Sequence, residues 1–110
     1  MNIRQAILGQ IELLSQPSKQ LEYERSLSRA GHAPSELISG FCDDLYHPKS
    51  PEFIGSFSEE ELRDLAHLYG LIVEASRAPF QTVSEMLKNE TWRRVISVAK
   101  ELVSRFEAPT

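Results

Sequence analysis

Three pairs of side chains have residue types and spacings that could support metal binding or catalysis. Asp64 and His67 lie three positions apart, like half of the carboxylate–histidine motif of di-iron bundles, but that site needs the motif twice and two further carboxylates. Asp43 and His47, four positions apart, supply only two of the ligands that a metal site needs. Cys42 could pair with His47 or His32 as a nucleophile, but it lies beside the apolar side of its predicted helix, where thiols pack and stay unreactive.

Other motifs of enzyme chemistry are not found in the sequence. It contains no glycine-rich phosphate loop, no Gly-x-Ser-x-Gly and no Cys-x-x-Cys, and its five glycines are scattered singly. A single cysteine excludes an internal disulfide and a multi-cysteine zinc site. We therefore predict no catalytic residues, no metal and no cofactor, and a protein that is not an enzyme.

The composition is that of an ordinary globular domain. With 110 residues, 41% of them hydrophobic, the chain is predicted to form one domain over residues 1–110. Its net charge of −4 disfavours nucleic acid as a partner, because such binders neutralise phosphates. No apolar run approaches the roughly 18 residues of a spanning helix, and the first residues lack the apolar stretch of a signal peptide. We expect a cytoplasmic monomer without a membrane partner.

Helix-breaking residues and the spacing of apolar residues predict the helices that position these side chains. Apolar residues at helical spacing, separated by prolines and by capping residues, predict helices at 3–15, 18–30, 34–46, 59–78 and 83–88. A last helix follows, capped by Asn89 or Thr91, and Gly31 is the expected end of the second helix. Residues 48–57 are predicted to be a loop. The predicted fold is all-α, a single compact helical bundle of about five to six helices in which the 59–78 helix is central.

Two capping boxes mark helix starts in the second half of the chain. Ser58 and Glu61 have the spacing at which each side chain binds a free backbone N–H of the first turn. Thr82 and Glu85 repeat that spacing before the short helix. The start at Ser58 is the strongest local signal for secondary structure in the sequence.

Negative charge is concentrated between residues 36 and 64. This stretch holds 8 acidic and 2 basic residues, a net charge of −6, whereas the rest of the chain is slightly positive. Asp43 and Asp44 lie near the C-terminal end of a predicted helix, where negative charge is mildly unfavourable. Acidic residues at a position where they cost stability suggest that their carboxylates are used in binding.

The acidic side chains are predicted to lie opposite the apolar sides of their helices. If the 48–57 loop folds the third helix beside the 59–78 helix, the carboxylates of both form one outward surface that attracts a basic partner. Tyr46 would be either its aromatic anchor or a packing residue at the boundary of the core. The predicted partner-binding residues are Glu36, Asp43, Asp44, Tyr46, His47, Glu59, Glu60 and Asp64.

The last helix carries a short basic strip of Arg93, Arg94 and Lys100. Nucleic-acid binding would require more positive charge and exposed aromatic side chains for stacking. Trp92 belongs instead to the apolar stripe of this helix. We therefore interpret the strip as solvated helix surface.

The middle of the chain resembles small helical immunity proteins of bacterial polymorphic toxin systems, including those of contact-dependent growth inhibition. The resemblance is carried by Phe-Cys-Asp-Asp-Leu-Tyr-His-Pro at 41–48, by Phe53, and by Phe-Ser-Glu-Glu-Glu-Leu at 57–62. It implies an inhibitor that binds a cognate toxin in the cytosol and masks its active site or substrate path. Many such toxins are basic nucleases, so an acidic surface would occupy the groove that binds phosphates.

A different function remains open from the sequence. Leu68, Leu71 and Ala75 form a second apolar side on the 59–78 helix. If that side is exposed, the chain would be a non-enzymatic regulatory or adaptor domain that dimerises or docks a partner helix.

Overall fold

A computed structural model of the protein describes residues 2–27 and 31–107. These ranges contain helices and no strand, which confirms the all-α class; the seven helices slightly exceed the five to six predicted. The helices are α1 (Ile3–Leu14), α2 (Pro17–Ser26), α3 (Ala33–Cys42), α4 (Pro51–Gly55), α5 (Glu59–Ala75), α6 (Val83–Lys88) and α7 (Glu90–Glu107).

The additional helix, α4, lies within the predicted 48–57 loop. Ser50 caps it by accepting a hydrogen bond from the backbone N–H of Phe53, and Pro51 occupies its first turn. Proline is favoured there because its missing N–H would be unpaired in any case. The prediction of a loop failed because it counted this proline as a breaker.

Three predicted helices end earlier than expected. In α3, the N–H groups of Asp43 and Asp44 both bind the carbonyl of Ser39, so the regular ladder stops at Cys42 and not near Tyr46. After α5, residues 76–78 form a tightened turn. The second helix ends at Ser26, and the prediction that it continues to a cap at Gly31 falls on residues 28–30, which lie outside the described part of the chain.

The strongest capping signal is confirmed. Ser58 accepts from the N–H of Glu61, and the Glu61 carboxylate accepts from the N–H of Ser58. Thr82 caps α6, but the Glu85 carboxylate binds the N–H of Gln81 instead of completing a box. Asn89, and not Thr91, caps α7.

Four helices form a ring around the core: α1, α3, α5 and α7. Helix α5 contacts α3 and α7, and α1 also contacts both α3 and α7. The short α2 and α6 pack against each other beside this ring. One cluster of buried apolar residues fills it, including Trp92, Phe41 and Phe53.

Gln20 of α2 is a fully buried polar side chain that joins three helices. Its amide nitrogen donates to the carbonyls of Leu13 and Leu14 at 3.3 and 3.0 Å, and its oxygen accepts from the indole N–H of Trp92 at 3.0 Å. A buried donor or acceptor without a partner is costly, so this single amide satisfies both the end of α1 and the deepest aromatic residue of α7.

Replacing Gln20 by methionine should lower the free energy of unfolding by about 3 kcal/mol, because similar volume remains while the Trp92 N–H and the α1 carbonyls lose their partner. Urea unfolding measures this change. The exposed Gln5→Met variant is the control and should unfold like the wild type. Equal stability of the two variants would contradict the role assigned to Gln20.

Candidate functional site

The C-terminal part of α3 forms one wall of an open groove against α1 and α2. The groove has a volume of about 290 Å³. Glu36 and Asp44 lie on its α3 side, and Gln10 and Tyr23 lie across from them. Three leucines contribute its apolar lining: Leu13, Leu37 and Leu45. We call this the α1/α3 groove.

The acidic residues around this groove are exposed, as predicted. Glu36, Asp43, Asp44 and His47 all lie at the surface, and the ring nitrogen Nε2 of His47 lies 3.0 Å from the carbonyl oxygen of Asp44. Ion pairs in the described ranges join Arg4 to Glu61 and Arg105 to acids of α5 and α7. None of them neutralises the three carboxylates of α3.

Tyr46 does not stand free at the surface. Its ring stacks on Tyr69 with centroids 4.7 Å apart and on Phe41 at 5.6 Å, and it meets Phe53 edge-on at 5.5 Å. Burial, followed by the nearby Tyr69 hydroxyl, raises the pKa of Tyr46. Half-buried in this aromatic cluster, Tyr46 holds the end of α3 against α5, which favours a packing role over the predicted anchor.

The predicted acids of α5 lie at a different groove. Glu60 and Asp64 line an opening between α5 and α7, together with Arg105. Both carboxylate oxygens of Asp64 accept from Arg105 at 3.0 Å. Glu60 and Asp64 therefore line a different opening from Glu36 and Asp44, and Asp64 is paired within the chain. One continuous acidic surface stays a prediction, and Glu59 is exposed at the start of α5.

Arg4, in the first turn of α1, contacts both the start of α5 and the end of α7. Its guanidinium donates to both carboxylate oxygens of Glu61 at 2.8 and 2.7 Å and to the carbonyl of Ser56 at 3.2 Å. It also lies over the rings of Phe57 and Phe106 at about 5.5 Å. Hydrogen bonding to Arg4 is the main cause that lowers the pKa of Glu61.

The side chains considered for catalysis are not arranged for it. Burial, with a contribution from Asp43, raises the pKa of Cys42 to about 11, so the thiol is protonated at neutral pH and is a poor nucleophile. No group of three potential metal ligands occurs in residues 2–27 and 31–107.

The apolar strip on which the adaptor hypothesis depends is buried. Leu68, Leu71 and Ala75 are at most 5% exposed and belong to the core of this chain. A surface for docking a second helix therefore cannot be built from them without unfolding α5.

Comparisons with known proteins identify no relative. No family model matches the sequence, and neither curated proteins nor solved structures give a significant match. None of the described helices is long and apolar enough to cross a membrane. The resemblance to immunity proteins therefore depends on the sequence motifs alone.

Replacing Glu61 by glutamine should flatten the dependence of stability on pH. The lowered pKa of Glu61 means that its contribution to stability is present above the ordinary pKa of 4.5 and is lost as the pH falls through the folded-state value. Glutamine can keep the capping bond while removing the charge that binds Arg4.

Urea unfolding at a series of pH values from about 7 to about 3 tests this linkage. The wild type should be the more stable protein at neutral pH, and the difference should shrink with acidification. The neighbouring Glu60→Gln variant is the matched control and should follow the wild-type curve. Parallel curves for all three proteins would contradict the assigned role of the Arg4–Glu61 pair.

Proposed function

We propose that this protein is an immunity protein that binds a cognate bacterial toxin and neutralises it, and that the toxin is a basic nuclease domain. The proposal combines the motifs at 41–48 and 57–62 with the charge of α3. Its binding surface is the α1/α3 groove with its rim, formed by Glu36, Asp43, Asp44 and His47.

One observation carries the proposal. The exposed carboxylates of Asp43 and Asp44 follow the C-terminal end of α3, where the helix dipole disfavours negative charge, and no ion pair in the described ranges compensates them. Acids that cost stability within their own chain are explained when a positively charged partner binds them.

The α1/α3 groove supplies apolar contacts, which charged groups alone do not provide. Carboxylates attract a basic partner over distance and so raise the association rate, whereas desolvated apolar contacts lower the dissociation rate. Glu36 and Leu37 of α3, and Asp44 and Leu45 in the turn after it, line the same groove, so both kinds of contact occur on one wall.

The mechanism is occlusion of the toxin. A nuclease holds the phosphates of its substrate with cationic side chains, and carboxylates of α3 would pair with those same groups. The helical body behind them would then exclude the substrate. The toxin would be inhibited for as long as the complex lasts, without any chemical step by the inhibitor.

Co-expression with the toxin domain encoded beside this gene tests the function. Cells that produce the toxin domain alone should stop growing, and cells that also produce this protein should grow normally. Growth arrest despite co-expression of folded protein would contradict the proposal, as would a neighbouring gene product without toxicity.

The Asp44→Lys variant should associate with that toxin domain about threefold to tenfold more slowly at low salt, because the steering attraction becomes repulsive. Stopped-flow mixing at several ionic strengths measures the rate, and the difference should shrink as salt is added. Glu74→Lys, an exposed acid far along α5, is the control with the same charge change. Equal rates for both variants would rule out α3 as the steering surface.

A further inference from the structure

The start of α7 and the end of α6 present a basic face on a chain that is acidic overall. Lys88, Arg93, Arg94 and Lys100 are all exposed, and Glu90 is the acid among them. This face therefore has a local charge of about +3, against −4 for the whole protein.

Two openings share the centre of this face. Arg93 and Ser97 line both of them. The first opening, of about 380 Å³, adds Lys100 and an apolar lining of Pro17, Leu87 and Ile96. The second, of about 630 Å³, is polar and adds Lys88, Glu90 and Arg94. Positive charge thus lies directly beside apolar surface, with a polar extension next to it. We call these openings the α7 groove.

The cations of the α7 groove differ from the other cation of this helix. Arg105, near the C-terminal end of α7, pairs with Asp64 and Glu101. In the part of the chain that the structure describes, no ion pair involves Arg93, Arg94 or Lys100. Arg105 is therefore paired within the chain, while Arg93, Arg94 and Lys100 form no ion pair with described residues.

Three classes of anionic ligand can be compared with this surface. Nucleic acid is disfavoured because no aromatic side chain lines either opening, and the overall charge repels a long polyanion. A small anion is disfavoured because flexible, exposed cations without a backbone cradle hold it weakly. An acidic peptide that also carries apolar side chains matches both halves of the surface.

We propose that the α7 groove is a second interaction surface, which binds an acidic, partly apolar segment of a protein partner. Carboxylates of the segment pair with Arg93 and Lys100, and an apolar side chain of the segment packs against Pro17 and Leu87. This surface is opposite in charge to the α1/α3 groove and does not share a lining residue with it. It is therefore independent of the toxin-binding proposal.

The test is a titration of the full-length, ¹⁵N-labelled protein, followed by amide chemical shifts. The first probe is a short peptide in which glutamate and leucine alternate, and the second is the matched peptide of lysine and leucine. Oligothymidylate and inorganic phosphate are the third and fourth probes. The acidic peptide should shift amides in residues 87–100, and the two other anions should bind this face more weakly than the acidic peptide.

Charge reversal identifies the groups that bind. The double variant Arg93→Glu/Lys100→Glu should weaken binding of the acidic peptide about tenfold or more, because two attractions become repulsions. Arg63→Glu/Arg77→Glu reverses two exposed cations outside the groove and should leave the affinity within about twofold of the wild type. Thermal unfolding followed by circular dichroism should show both variants folded.

Three results would overturn the proposal: no shifts at 87–100 with the acidic peptide, unchanged affinity in Arg93→Glu/Lys100→Glu, or tighter binding of oligothymidylate to the same amides. The lysine peptide separates this proposal from the toxin-binding one. Its shifts should fall at the α1/α3 groove, and their absence would count against that surface without affecting the α7 groove.

Discussion

The buried amide of Gln20 is the polar contact on which the arrangement of this bundle depends. Trp92 is completely buried, so its indole N–H must find an acceptor inside the protein, and the last carbonyls of α1 need donors. One side chain from α2 meets both needs. Because hydrogen bonds are directional, this contact fixes the position of α7 relative to α1 more strictly than apolar packing would. The remaining walls of the ring are built against that pair.

The ring in turn determines which charges meet. Helix α7 beside α5 brings Arg105 to Asp64, while Arg4 of α1 reaches Glu61, so these two acids of α5 are paired within the chain. Glu36, Asp43 and Asp44 receive no such cation in the described structure and stay exposed. The cations at the start of α7 face outward in the same way. A protein of modest net charge thus carries one acidic and one basic surface.

Local features of the fold could be predicted from the sequence, and long-range ones could not. The Ser58–Glu61 box was predictable because its partners are three residues apart. The Arg4–Glu61 and Gln20–Trp92 contacts join residues 57 and 72 positions apart, and their types are common on any helix surface. Exposure of the α3 acids followed from helical periodicity. Which opening each acid lines, and which acids are paired, depends on long-range helix packing, which no spacing in the sequence specifies.

We propose that a basic protein binds at the end of α3 and not at the start of α5. Amide hydrogen exchange, measured by mass spectrometry on the protein alone and bound to its toxin domain, tests this directly. New protection should be confined to peptides from residues 10–23 and 36–47, which include the walls of the α1/α3 groove. Protection centred on residues 58–64 and 105, with exchange of the α3 segment unchanged, would contradict the account.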